Sequence, residues 1–421
     1  MRDYVQLWKY NCLDALVTRE AHDVIQSELR QKDLSAQYRF TMNLCQPLLE
    51  MAVRGILVDR EAIQAYSRKL TSEYDDKLKL LHEQAGTKIN PQSPKQLITY
   101  FYTHKGEKPY ISRTTGKATV DGTALKRLIG KGYPEAKTIM RLREIKKLTG
   151  SYLDIELDHD DRLRCSWNPV GTTTGRLSSS KTIRKTGLNL QTVPEDARAF
   201  LIPDPGFRMA EVDLSQAEAR IVAYIAQDPN MISVFEKGED IHALTARMVG
   251  CTRKIAKGVN HGSNYALGPA KLGMMLEIPQ SEAKSLMTKY HIAYPSVRGT
   301  FHKYVEETLR RSRTLTNLFG RKRLFLGRID DDLFRQGYSY IPQSTVGHIT
   351  NMALMRLWKD KRVQVLAQVH DSVLFQARED EDWNRLVEDV SHYFQIPLRW
   401  KGREFVIPSE MKTGSNWRDL T

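Results

Sequence analysis

Near the C-terminus the chain reads V-Q-V-L-A-Q-V-H-D-S-V-L-F-Q, residues Val363 to Gln376. Two apolar, alternating stretches flank a His-Asp pair where the chain must turn, a pattern that predicts a β-hairpin with Asp371 at its tip. Asp is also an ordinary turn former, so the turn alone explains this stretch. A second carboxylate changes that reading. Asp213 lies in A-E-V-D-L-S-Q-A-E-A-R, where a strand passes into a helix. Ser215 and Glu218 have the Ser-x-x-Glu spacing of a capping box, so Ser215 is expected to cap the helix and Asp213 to end the strand. Two strand-end aspartates can meet if both strands lie in one sheet. Paired carboxylates with a substrate phosphate are a usual way to hold Mg²⁺. Two such ions about 3.5–4 Å apart stabilise the attacking and leaving oxygens of an in-line displacement.

A third segment, R-K-I-A-K-G-V-N-H-G-S-N-Y-A-L-G, has Arg253, Lys257, His261 and Tyr265 recurring every four residues. In a helix this places them along one slowly drifting stripe. Cations near a helix N-terminus oppose the dipole, so Arg253 and Lys257 cost helix stability while strengthening an anion site. Taken singly, either cation fits a solvated basic helix; the series of four with Gly258 and Gly262 points to a triphosphate. Each glycine costs about 1 kcal/mol in a helix interior, and the pair suits close approach by a flat ligand or another backbone. Tyr265 could stack on a base. Upstream, E-D-I-H-A-L-T-A places His242 at a helix start, as a further phosphate donor or as a surface or capping residue.

The elements that position these residues follow from pattern and composition. With 421 residues, 41% hydrophobic and 27% charged, the chain is an ordinary globular protein of two or three domains. A formal net charge of +14 favours polyanionic partners, because neutralising phosphates releases counterions. Four widely spaced cysteines, Cys12, Cys45, Cys165 and Cys251, lack zinc-site spacing and read as reduced thiols. Neither a signal-peptide core nor a membrane-length apolar run is evident, which places the chain in the cytoplasm. Residues 12–34 and 40–51 read as helices, with a strand-like return through Gly55. From residue 60 to about 152 long charged helices surround a Gly/Thr/Lys-rich loop, 112–119, in the manner of an arm reaching over something. N-P-V-G-T-T-T-G-R-L-S-S-S-K-T offers small residues, cations and backbone amides for phosphate contact, or is a plain surface loop. R-M-A-E-V-D-L reads as a strand, helices run on to about residue 318, and an F-G-R-K-R-L hairpin precedes the closing helix, hairpin, helix and strand.

These residues resemble the family A DNA polymerases, the group of bacterial DNA polymerase I and its phage relatives, from about Leu34 to the C-terminus. Motif A is D-L-S-Q-A-E-A-R, motif B is Arg253-x3-Lys257-x3-His261-x3-Tyr265, and motif C is Val369-His370-Asp371. I-N-P-Q-S-P-K-Q-L, T-G-R-L-S-S, N-L-Q-T-V-P, D-I-H, L-F-G-R-K-R and G-S-N-W stand around them in order. The resemblance implies an α+β fold of right-hand type, with an antiparallel-sheet palm (35–60, 155–218 and 330–421), a helical thumb (61–154) and helical fingers (219–329). It implies that Asp213, Asp371 and the Leu214 carbonyl bind two Mg²⁺, with Mn²⁺ able to substitute. Arg253, Lys257 and His242 would grip the triphosphate, Lys257 protonating the departing pyrophosphate. Gln216 and His261 would join the nucleotide site, Glu218 would crowd the sugar 2′ position, and Tyr265 would form part of the base-pair pocket. Arg176, Arg335, Gln343 and His370 would contact primer–template. The implied reaction is attack of a primer 3′-hydroxyl on the α-phosphorus of a dNTP by a monomer.

Four departures bear on detail. Motif C usually continues with Glu where this chain has Ser372, so one carboxylate near the metals is missing and an altered metal response is expected. His261 replaces the usual Phe or Tyr, Ala266 a Gly and Ser339 an Asn. At the beginning, K-Y-N-C-L-D-A-L-V-T with Tyr10 and Asp14 resembles the last motif of the family's 3′–5′ exonuclease, whose earlier metal-ligand motifs do not occur in the chain. Residues 1–34 are therefore expected to be a remnant helix packing on the palm. Proofreading is expected to be absent, the exonuclease being either removed or supplied as a separate polypeptide. The abbreviated architecture suggests a phage-like origin and hence a host cytoplasm. A single-subunit RNA polymerase and a catalytically impaired primer–template clamp needing a partner are the competing readings. Glu218 and T-G-R-L-S-S oppose the first, and the retained aspartates and motif B cations oppose the second.

Overall fold

The structure is a computed structural model that describes residues 4–112 and 115–420; positions 113–114 of the 112–119 loop lie outside the described residues. The chain divides into two compact units: residues 1–53, 167–178 and 210–412, and residues 54–166, 179–209 and 413–421.

The first unit is built on a four-stranded sheet. Its strands run in the order Ser409–Gly414, Phe207–Leu214, Ser372–Arg378, Val363–Val369. The last two form the expected antiparallel hairpin, with Ser372 opposite Val369 and Val373 opposite Gln368. A β-bulge between Leu374 and Phe375 shifts the register, which increases local twist. Nearly every hairpin residue is buried. The 29-residue helix Asp331–Lys359 packs on the hairpin. Asp330 caps it by accepting from the Leu333 amide at 3.0 Å. The helix Ala217–Ala226 leaves the sheet strand almost wholly buried, and the helices Ile241–Val249, Arg253–Asn264, Pro269–Leu276 and Gln280–Ala293 follow. The 314–324 segment forms the expected hairpin, Thr316 opposite Lys322.

Two expectations are corrected here. The first helix, Tyr4–Gln31, buries none of its residues, and Tyr10 is 62% exposed; it does not pack as a remnant on the sheet. Gly258 and Gly262 do not make room for a flat ligand or a backbone. A Cβ at Gly258 would meet Leu276 Cδ2 at 2.4 Å, and one at Gly262 would meet Leu272 Cδ1 at 3.1 Å. The glycines therefore receive leucines of the next helix, which explains their four-residue spacing.

In the second unit, Ile56–Val58 lies between Arg162–Leu163 and Leu201–Ile202, both pairings antiparallel. The long charged helix Arg60–Ala85 is capped by Asp59, which accepts from Ala62 N at 2.9 Å, and is closed by left-handed Gly86. It packs against Pro134–Leu148, where Arg141 grips Glu73 with two hydrogen bonds of 2.7 and 3.0 Å. Leu81, Phe101, Ile139 and Leu142 give this unit its own core. Among the described residues no helix is long and apolar enough to cross a membrane.

Candidate active site

The strand Phe207–Leu214 and the hairpin strand Ser372–Arg378 are sheet neighbours, which brings the Asp213 end of one to the Asp371 turn of the other. Asp371 is the second residue of a two-residue turn whose first, His370, takes φ +54°, a left-handed conformation that His tolerates better than most side chains. Asp213 opens to solvent, yet the protein around it removes enough water to push its carboxyl up to about 6. Burial is the largest cause, followed by the negative charges of Asp371, Glu211 and Glu410; an opposing hydrogen bond comes from the Leu214 backbone. Asp371 is also raised, again chiefly by burial, while Arg176 and His370 pull it down. Two carboxylates raised by lost water and by neighbouring negative charge, Asp371 and Glu211 on Asp213 and Glu218 on Asp371, are a donor set that a hard divalent cation fits, because its charge relieves both.

Ser215 does not cap the helix that follows. The cap position is Gln216, held at φ +52°, and the helix begins at Ala217. The Gln216 side chain accepts from the Ile241 amide at 3.2 Å, tying this turn to the start of the Ile241–Val249 helix. Glu218 is thereby freed from capping and points to other partners. Arg176 Nη2 donates to Glu218 Oε1 at 2.5 Å and lies 3.7 Å from Asp371 Oδ1. The Tyr265 hydroxyl donates to Glu218 Oε2. Burial, then Glu218, pushes the Tyr265 hydroxyl well above its ordinary value, so it stays a donor.

Arg176 owes its place to its loop. Asn351, buried on the long helix, donates to the Gly175 carbonyl at 3.0 Å and accepts from Gln368 at 3.1 Å. Thr172 closes the loop on the Arg176 carbonyl at 2.7 Å.

The helix Arg253–Asn264 carries the predicted stripe, capped by Thr252 and ending one residue before Tyr265. Arg253, Lys257 and His261 are exposed. Arg253 pairs with Asp240 at 2.5 Å, and the His261 ring meets Tyr265 edge-on at 4.9 Å. Asp240 also caps the neighbouring helix by accepting from the His242 amide at 2.8 Å. His242 is not a surface residue. It is buried, and Asn260 Nδ2 donates to its Nδ1 at 2.8 Å, which leaves the proton on Nε2. Burial, with the nearby charges of Lys257 and Arg253, lowers it to about 4, so it stands neutral. Arg335, Ser339 and Gln343 recur every four residues on the partly exposed face of the 331–359 helix, where Arg335 pairs with Asp332.

Sequence reasoning missed two residues, Asn260 and Glu211. The amphipathic stripe gave no sign of Asn260, which sits on the buried face of the helix. Glu211 was visible in principle, because strand alternation puts it on the Asp213 side.

A profile of DNA polymerase family A matches residues 60–419. The chain belongs to DNA polymerase family A. It is 28% identical to DNA polymerase I of Chloroflexus aurantiacus over 98% of this chain and 46% of that protein. It is 31% identical to DNA polymerase I of Deinococcus radiodurans over 88% of this chain and 40% of that protein. The chain thus spans less than half the length of these relatives. The polymerase domain of Pol1 from M. smegmatis, solved in complex with DNA primer-template and dNTP, superposes with a TM-score of 0.83 at 25% identity, covering 94% of this chain and 73% of that one. The fold is accordingly the α+β polymerase fold.

Proposed function

We propose that this family A chain is a template-directed DNA polymerase that adds deoxynucleotides to a primer 3′-hydroxyl. The observation that carries the reading is the meeting of Asp213 and Asp371 at adjacent strand ends of one sheet. Asp213, Asp371 and the Leu214 carbonyl would hold two Mg²⁺, which supply charge stabilisation to the attacking and leaving oxygens when bound. Arg253, Lys257 and neutral His242 bind the triphosphate, and Lys257 delivers a proton to the departing pyrophosphate. Tyr265 and His261 hold the incoming base and sugar, Gln216 braces the turn beneath them, and Glu218 fills the space a 2′-hydroxyl would need. Arg176, Arg335, Gln343 and His370 orient primer–template. The proposed palm is 35–60, 155–218 and 330–421, the thumb 61–154 and the fingers 219–329. The same reading holds that the chain does not proofread, because Tyr10 and Asp14 stand on an exposed helix and one carboxylate does not make a two-metal site.

Extension of a labelled primer on a DNA template with Mg²⁺ tests the reading, with deoxynucleotides and ribonucleotides in parallel and Asp371→Ala as the comparison. Extension with deoxynucleotides alone, lost in the variant, is expected. Primer–template binding by the wild type without extension would instead make the chain a clamp.

A further inference from the structure

Near its end the strand Phe207–Leu214 alternates strictly: Ala210, Val212 and Leu214 are buried, while Glu211 and Asp213 face the other way. Glu211 therefore lies on the Asp213 side, one strand period before it. On the neighbouring strand, Ser372 directly follows Asp371. Ser372 Oγ lies 2.7 Å from Glu211 Oε1 and 3.0 Å from the Val369 carbonyl, able to donate its one proton to either. The Ser372 side chain is buried. The two strands that carry the aspartates are thus tied together, side chain to side chain, immediately beside both of them. The negative charge of Glu211 also reaches Asp213. Among the described residues no set of three or more acidic, His or Cys side chains is arranged to hold a metal together.

We propose that Glu211 is a positioning residue of the two-aspartate site, acting through its hydrogen bond with Ser372 to fix the separation of Asp213 and Asp371 and adding a third negative charge behind them. The carboxylate that motif C usually supplies from the Ser372 position is supplied instead from the adjacent strand, so it is moved across the sheet and not lost. A serine at 372 serves this arrangement because it can only donate to Glu211, whereas a second carboxylate at that place would repel it. The inference rests on the polymerase reading above for the purpose of the site, and on the Glu211–Ser372 geometry for everything else.

The test is a double-mutant cycle read by Mn²⁺ binding, followed by electron paramagnetic resonance on the full chain with a dideoxy-terminated primer–template and dNTP, so that no chemistry occurs. Glu211→Ala and Ser372→Ala are each expected to weaken Mn²⁺ binding roughly 10-fold, the lower end for loss of a group that orients metal ligands. Glu211→Ala also removes the charge and should show the larger loss, and the double alanine variant should lose no more than about that single, because the bond to Ser372 is already broken in it. The exchange variant, Glu211→Ser with Ser372→Glu, rebuilds the pair in reverse and should recover binding to within about threefold of wild type. Melting temperatures without metal separate positioning from folding. Wild-type Mn²⁺ affinity in the singles, losses that track a fall in melting temperature, losses that simply add, or an exchange variant that melts like wild type yet stays weak would each overturn the proposal. None of these depends on primer extension, whose failure would overturn the polymerase reading alone.

Discussion

Arg176 and Glu218 are joined by a hydrogen bond of 2.5 Å, although the loop of one and the helix of the other meet only through the fold. The same guanidinium lies 3.7 Å from Asp371, so Glu218 and Asp371 share one cation. Tyr265 donates to the other oxygen of Glu218. Glu218 is thus the acceptor that holds Tyr265 and Arg176 in one place.

Removing that acceptor has two consequences. Glu218→Ala opens the space assigned to the sugar 2′ position, and ribonucleotide insertion relative to deoxynucleotide insertion should rise roughly 10- to 100-fold, the range for a lost steric or polar filter. It also leaves the Tyr265 hydroxyl and Arg176 without their acceptor, which should cost about 1–3 kcal/mol of stability. Single-turnover insertion of matched nucleotides, with urea unfolding of the same variant, checks both. Unchanged sugar discrimination would remove Glu218 from that role.

Gly175 offers a test at one remove from the chemistry. Its φ is +79°, and an added Cβ would meet the Arg321 side chain at 2.6 Å. Both the backbone conformation and the close approach oppose a side chain. Gly175→Ala should destabilise the fold by about 1–3 kcal/mol and displace Arg176, lowering primer extension more than nucleotide affinity. Denaturation midpoints and steady-state extension measure the two effects.

Much of this site is legible in the sequence because its elements are strongly periodic. The hairpin, the strand ending at Asp213 and the four-spaced helix are local patterns, and each forms where its apolar period places it. Ser215 failed as a cap because the turn uses left-handed Gln216, so a capping-box spacing was satisfied without a capping bond. Gly258 and Gly262 were misread because spacing shows that something approaches, and only packing shows that it is Leu276 and Leu272. The Tyr4–Gln31 helix was legible as a helix, while its exposure depends on what it packs against. The bonds of Glu218 and Glu211 join segments far apart in the chain, that of His242 joins two neighbouring helices through their buried faces, and no local signal carries any of them.

His242 gives a prediction about protonation. Asn260 fixes its tautomer so that Nε2 donates, and a value near 4 keeps the ring neutral at neutral pH. His242→Ala should raise the dNTP KM roughly 10-fold, the scale of one hydrogen bond to a charged phosphate, with little change in kcat. Asn260→Ala frees the tautomer and should weaken dNTP binding in the same direction but less. A nucleotide titration of both variants by KM and kcat separates this from a loss confined to the chemical step.

The last prediction concerns acid stability. The His348 ring is stacked between Phe40 at 3.8 Å and Phe319 at 4.4 Å. Burial, with some help from the Arg321 charge, lowers it to about 4. Half-buried His291 is lowered to about 3, and buried His302 is lowered as well. In the unfolded chain each histidine takes up a proton near pH 6.5, whereas the folded rings resist until far lower pH. Between about pH 6.5 and pH 4 these histidines hold more protons in the unfolded state, so their contribution to folding stability falls as pH falls through that window, whereas the raised Asp213 carboxyl acts the other way. His348→Phe keeps the aromatic stack and removes one of these protons, so its urea midpoint should decline less than that of wild type between pH 7 and pH 5. Equal declines in the two proteins would mean that the ring between Phe40 and Phe319 is not the neutral group described.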